Sequence, residues 1–250
     1  MSLQNKVAIV TGSSRGIGKA IALRLADSGA DIVLNAINNI ERCEETVNEL
    51  KSKGVKAMAV KADVGNLDDV QKIIDTTISE FGRIDILVNN AGVIEDMSCL
   101  AMTDESWEKI VKTNLTGAFN MSRAAAKSML LNRYGRIINI TSFVAQLGNK
   151  GQANYAASKG GLESLTKTFA IELSGKGITV NAVAPGAIET EMSKSTLENF
   201  EKKLVSRIPA KRIGKPEDIA SLVNYLAQEE AGYITGEVIG VSGGLGLWLL

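Results

Sequence analysis

The sequence predicts an α/β protein: a single-domain, doubly wound parallel sheet with helices on both faces. Three observations predict it. Strand-length runs rich in β-branched residues alternate along the whole chain with longer stretches of helical period. These runs are apolar throughout, the pattern of strands buried on both faces. A glycine-rich turn follows the first run and opens a helix.

In order, the strand-like runs are 7–10, 31–34, 55–60, 84–88, 136–140, 178–183 and 238–241, and the clearest helical segments are 16–28, 67–81, 107–131 and 155–173. The least charged stretch, 233–250, contains Glu237 and several glycines, so it reads as a buried strand plus tail and not as a membrane helix. Sheets of this kind hold ligands beyond the carboxyl ends of their strands. The residues just after each strand are therefore the candidates for function.

Composition narrows the function classes. The 250 residues suit one domain spanning 1–250, and 45% hydrophobic with 22% charged residues is a globular balance. Lys+Arg and Asp+Glu both number 28, so no overall field draws the chain to nucleic acid or to an anionic membrane. The N-terminus runs almost directly into the strand at Val7 without a signal-peptide pattern, which predicts a cytoplasmic protein. Cys43 and Cys99 are too few for a disulfide framework and fit free thiols in a reducing compartment. Histidine is absent. That removes Ser/His/Asp and Cys/His nucleophilic schemes and imidazole metal sites, so no metal is expected.

The turn after the first strand reads Thr11-Gly12-Ser13-Ser14-Arg15-Gly16-Ile17-Gly18. Its G-x-x-x-G-x-G spacing differs from the commoner G-x-G-x-x-G of Rossmann-type folds, but it meets the same demands. Those are a sharp turn, close approach of backbone to a pyrophosphate, and a helix N-terminus whose free N–H groups face it. A glycine-rich turn can also be purely structural. Sites that prefer NAD(H) carry a carboxylate at the end of the second strand, and here that strand ends Leu34-Asn35-Ala36-Ile37-Asn38. Arg15, at a helix N-terminus, opposes the helix dipole unless an anion compensates it. A ribose 2′-phosphate would supply that anion, which favours NADP(H); the alternative is a solvated arginine. Asp63, after the third strand, suits a cap or a contact to the adenine amino group.

A second constellation lies far along the chain. Ser142 follows the fifth strand, and Tyr155-Ala156-Ala157-Ser158-Lys159 opens a long helix. Tyr and Lys four apart share one helix face, so an ammonium beside the phenol would lower a pKa that is about 10 in water. A phenol so tuned can give a proton to a carbonyl oxygen while hydride reaches the carbon, with Ser142 donating a second hydrogen bond. Taken singly, Tyr155 also fits half-buried packing, Lys159 a surface charge and Ser142 a turn.

Thr11-Gly12-x-x-x-Gly16-x-Gly18, Asn89-Asn90-Ala91-Gly92, Asn114, Ser142, Tyr155-x-x-x-Lys159 and Pro185-Gly186 together resemble the short-chain dehydrogenase/reductase family in order and spacing, over essentially the whole chain. The resemblance implies an NAD(P)-dependent oxidoreductase. It implies a catalytic set of Asn114, Ser142, Tyr155 and Lys159, with Tyr155 as proton donor and Asn114 holding a water that links Lys159 to solvent. It implies NADP(H) contacts from Gly12, Ser14, Arg15, Gly16, Ile17, Gly18, Asn35, Asp63, Val64, Asn90, Ala91, Gly92, Tyr155, Lys159, Pro185, Gly186, Ile188 and Thr190. A mobile substrate loop would follow, to about Ser206. The helices at 107–131 and 155–173 would pair across a homotetramer.

Within the family, Gly148-Asn149-x-Gly151-Gln152-x-Asn154-Tyr155-Ala156-Ala157-Ser158-Lys159 is similar to the 3-oxoacyl-[acyl-carrier-protein] reductase group, as are 136–140, 183–186 and 233–236. This implies reduction of a β-keto thioester to the 3-hydroxyacyl form, on an acidic acyl carrier protein docked near Arg133 and Lys176. Ordinary solvated helix ends would carry the same two charges. Two features depart from the group: Glu95 stands where it usually has a basic residue, and the Gly-Leu-Trp-Leu-Leu ending is unusually apolar. The competing readings are a dehydrogenase for a sugar, polyol or hydrophobic secondary alcohol, and a non-catalytic dinucleotide-binding protein on the same fold.

Overall fold

A computed structural model describes residues 2–191 and 193–247. The apolar ending at 248–250 lies outside the described residues. Val7, Ala8, Ile9 and Val10 are all buried, yet successive residues enter different cores. They form the first of seven parallel strands: β1 (Val7–Val10), β2 (Asp31–Ala36), β3 (Ala57–Lys61), β4 (Ile86–Asn89), β5 (Gly135–Ile140), β6 (Ile178–Pro185) and β7 (Val238–Val241). The order across the sheet is β3-β2-β1-β4-β5-β6-β7.

The helices among the described residues are α1 (Gly16–Asp27), α2 (Ile40–Ser52), α3 (Leu67–Phe81), α4 (Asp104–Val111), α5 (Gly117–Asn132), α6 (Val144–Leu147), α7 (Ala153–Leu173), α8 (Lys194–Arg207) and α9 (Pro216–Ala227). Helices α1, α2 and α9 cover one face, where Ile21, Leu50 and Val223 pack with Ala8, Val10, Leu34 and Val88. Helices α3, α5 and α7 cover the other, where Ile73, Met121 and Ala170 pack with Ile9, Val33, Leu87 and Ile137. Each fully buried Leu or Ile contributes about 1.5–3 kcal/mol, which is why runs with no polar face form strands here. The predicted doubly wound α/β sheet is what folds.

The chain steps outward from β1 to β3 and returns to β4 beside β1. The loops after β1 and β4 therefore part in opposite directions and open a crevice, the ligand position in such sheets.

One predicted element is interrupted. The stretch 107–131 is α4, then a π-helical turn at Lys112–Thr116, then α5. Asn114, within this turn, is 1% exposed, and the turn is followed by Gly117, where a Cβ would lie 2.8 Å from Val64 Cγ2.

Candidate active site

The crevice is built around two glycines. Gly12 has φ +61°, and a Cβ there would lie 2.7 Å from Ala91 Cα. At Gly18 a Cβ would lie 2.5 Å from both the Gly12 carbonyl oxygen and Asn90 Nδ2. Asn90 clamps the turn: Nδ2 donates to the carbonyls of Thr11 and Gly12 at 2.9 Å each. Thr11 Oγ1 in turn accepts from the backbone N–H groups of Asn90 and Ala91 at 3.0 Å each. Thr11 is thus a structural partner in the turn that the site prediction left out. Its only sequence signal is its place at the head of the glycine motif.

The crevice fits a dinucleotide. The two glycines let the turn pack directly on Asn90 and Ala91, and the first turn of α1 has no acidic residue and no side-chain cap. Its N–H groups and the positive end of its dipole face that space. Ser14 lies on this turn, whereas the Ile17 side chain packs into the core, so Ile17 has only its backbone to offer.

One of the predicted adenine-side contacts has its side chain committed elsewhere. Asn35 is 1% exposed, and its amide N–H groups are taken by the carbonyls of Val60 at 3.1 Å and Ala62 at 3.0 Å. Its side chain ties β2 to β3 and is not free for a nucleotide. Asp63 lies two residues beyond β3, and its Oδ1 accepts from the Gly65 N–H at 2.8 Å in an Asx turn, while the N-cap of α3 is Asn66. Val64, 5% exposed, packs against the backbone of Gly117. Arg15, about half exposed, pairs with Glu191.

On the other side of the crevice, Ser142 follows β5, and α7 carries Tyr155 and Lys159 on one face. Lys159 is 3% exposed, and its Nζ donates to the Ile140 carbonyl at 2.8 Å. Burial pushes its pKa down to about 8. For Tyr155, burial pushes the phenol above its ordinary value, and the Ser142 hydroxyl pulls back by less. This corrects the expectation of a phenol acidified by its lysine. Desolvation shifts both groups toward their neutral forms, although a lysine at about 8 remains an ammonium at neutral pH.

Asn114 stands behind this pair. Its Oδ1 accepts from the Val93 N–H at 2.8 Å, and its Nδ2 donates to the Val93 carbonyl at 3.0 Å and to Ser158 Oγ at 3.2 Å. Both amide N–H groups of Asn114 are therefore committed to protein partners. Gly92 fits between the two, since a Cβ there would lie 3.4 Å from Asn114 Oδ1 and 3.5 Å from Lys159 Nζ. Ser158, unflagged in sequence, also donates to the Tyr155 carbonyl at 2.8 Å and so links Asn114 to α7.

Beyond β6, Pro185 accepts from the Phe143 N–H at 3.0 Å, which fixes the Ser142 loop to the Pro185-Gly186 corner. Ile188 is 6% exposed, and Thr190 bonds Ser193 and faces Gly16 across the crevice. The predicted substrate loop, to about Ser206, carries α8, and its Met192 lies outside the described residues. Arg133 and Lys176 flank the amino ends of β5 and β6, joined where Gly177 abuts the Arg133 carbonyl. That is the end of the strands remote from Tyr155, about 20 Å along a six-residue strand. Glu95, the departure at the rim, is paired with Lys109 Nζ at 2.7 Å.

A family model described as enoyl-(acyl carrier protein) reductase matches residues 12–246. The chain is 45% identical over 241 residues to 3-oxoacyl-[acyl-carrier-protein] reductase FabG of Staphylococcus epidermidis, covering 96% of this chain and 99% of that one. The chain belongs to the short-chain dehydrogenase/reductase family.

As a member of the family it is an oxidoreductase that uses a nicotinamide dinucleotide. The 3-oxoacyl-[acyl-carrier-protein] reductase of Synechocystis is 46% identical over 245 residues, covering 98% of each chain. Among solved structures, a protein provisionally described as a gluconate dehydrogenase from Agrobacterium tumefaciens superposes on this short-chain dehydrogenase/reductase with a TM-score of 0.95. It is 37% identical and covers 100% of this chain and 98% of its own. Among the described residues no helix is long and apolar enough to cross a membrane, and no group of three or more His, Cys, Asp or Glu could hold a metal ion.

Proposed function

We propose that this chain reduces the 3-oxo group of an acyl thioester on acyl carrier protein to the 3-hydroxyacyl form, with NADPH as reductant. The observation that carries the chemistry is the Ser142, Tyr155 and Lys159 cluster at the carboxyl end of β5, across the crevice from the glycine turn. The substrate rests on the near-full-length relatives named for that reaction.

When bound, the nicotinamide supplies the hydride. Gly12, Gly16, Gly18 and the N–H groups of α1 hold the phosphates, and Asn90, Ala91 and Gly92 border the same space. Pro185, Gly186, Ile188 and Thr190 line the nicotinamide side. Ser142 Oγ hydrogen-bonds the substrate carbonyl oxygen, and Tyr155 Oη gives it the proton. A phenol kept protonated by burial is loaded for that donation at neutral pH. The Lys159 ammonium, about one helical turn away, steadies the phenolate left behind. Asn114 positions the Lys159 side of the site through Ser158.

The preference for NADPH rests on Arg15 and on the lack of a carboxylate at the end of β2. A homotetramer fits the exposed Leu131 and Ile171 near the ends of α5 and α7, and we place the enzyme in the cytoplasm. Arg133 and Lys176, the charges offered for an acidic carrier, sit at the end of β5 and β6 away from Tyr155.

Initial rates with acetoacetyl thioester, free ketones, sugars and gluconate, each with NADPH and NADH, test the reading. The thioester with NADPH is expected to give the highest kcat/KM. A sugar or sugar acid preferred over the thioester would overturn the substrate, and turnover with none would leave a dinucleotide-binding protein.

A further inference from the structure

Arg15 and Arg42 converge on a single carboxylate that the chemistry above does not use. Arg15 Nη1 on the glycine-rich turn donates to Glu191 Oε2, and Arg42 Nη1 in the first turn of α2 donates to Glu191 Oε1 at 2.9 Å and Oε2 at 3.2 Å. The two arginines lie 176 and 149 residues from Glu191 in sequence, so only the fold assembles the group. Next to it, Thr190 Cγ2 comes within 3.5 Å of the Cβ position of Gly16. The segment after β6 is thus laid across the phosphate turn, at the end of the crevice nearest β2.

Two guanidiniums aimed at one point make a receptor for a dianion, because their planar forks match phosphate oxygens. Glu191 sets one carboxylate against two guanidiniums. All three side chains are close to half exposed, at 48%, 47% and 51%. Ion pairs so exposed hold weakly and can be exchanged for a better anion.

We propose that Glu191 is an internal counterion that occupies the Arg15–Arg42 anion site and is displaced by the 2′-phosphate of NADP(H), making it a determinant of cofactor preference. The inference rests on the nicotinamide reading above. Both arginines then serve the phosphate, and Arg42 is a binding residue that the motif at 11–18 does not contain. The 2′-hydroxyl of NAD(H) carries no charge with which to compete for the site.

Fluorescence titrations of NADPH and of NADH on the wild-type protein, Glu191→Gln and Arg42→Ala test it. Glu191→Gln is expected to tighten NADPH about two- to fivefold, the range an exposed ion pair supplies, and to leave NADH unchanged. Arg42→Ala is expected to weaken NADPH about tenfold with NADH again unchanged. NADPH binding that is no tighter in Glu191→Gln, or both nucleotides shifted alike, overturns the counterion. Unchanged NADPH binding in Arg42→Ala overturns the two-arginine site. In either case wild-type binding of both nucleotides keeps the cofactor reading intact; a wild-type protein that binds neither overturns that reading and this one together.

Discussion

Lys159 Nζ lies 5.7 Å from the centroid of the Tyr155 ring and donates to the Ile140 carbonyl at 2.8 Å. The lysine is therefore held by the end of β5 and lies close to the phenol without touching a carboxylate. Such an arrangement is costly in the free protein. It is useful only if something else in the cleft benefits from the charge.

That cost gives the first prediction. Lys159 has a folded pKa of about 8 against an ordinary 10.5, so the folded state resists its protonation. The penalty is fully present below pH 8, about 3 kcal/mol, and disappears as pH rises toward 10.5. Lys159→Met loses the bond to Ile140, worth about 1 kcal/mol, but escapes the penalty. Chemical denaturation without nucleotide should find the variant more stable than wild type by about 1–2 kcal/mol at pH 7, with the gap closing above pH 8. A less stable variant at pH 7 would show that the ammonium is compensated.

Gly18→Ala should damage the phosphate turn. Its Cβ would lie 2.5 Å from the Gly12 carbonyl and Asn90 Nδ2, and 2.9 Å from Ser13 Cα, most of it backbone that cannot step aside. A loss of about 1–3 kcal/mol in stability is expected, together with weaker binding of both nicotinamides. Denaturation and nucleotide titration on one preparation check it. Wild-type values in both would mean that the turn does not pack this way.

Asn114→Ala should act through Val93. Both the N–H and the carbonyl of Val93 use the Asn114 side chain, and the site is 1% exposed. Stranding them is expected to cost about 2 kcal/mol of stability, visible as a lower denaturation midpoint. A change below about 0.5 kcal/mol would mean that water replaces the amide.

The sheet was legible because fully buried parallel strands leave uninterrupted apolar runs, as at 7–10 and 178–183. The glycine turn was legible because its demands on backbone space are local. The break at Asn114 was not, since a π turn costs one residue of phase and leaves no periodic mark in 107–131. Asn35 looked available because the sequence shows a polar residue at a strand end, and only the register with Val60 and Ala62 shows its amide already spent. Glu191 carried no local signal at all, because its partners Arg15, after β1, and Arg42, on α2, are brought to it only by the fold. The lowered phenol pKa was inferred from spacing alone, and burial of both partners reversed it.

The central claim is that Tyr155 delivers the proton in an NADPH-dependent reduction of a 3-oxoacyl thioester. It is tested most directly by following NADPH oxidation by acetoacetyl thioester with wild type and Tyr155→Phe. Turnover in the variant should fall about 10²- to 10⁴-fold while its NADPH dissociation constant stays within about twofold of wild type. Near-wild-type turnover without the phenolic hydroxyl would contradict the account.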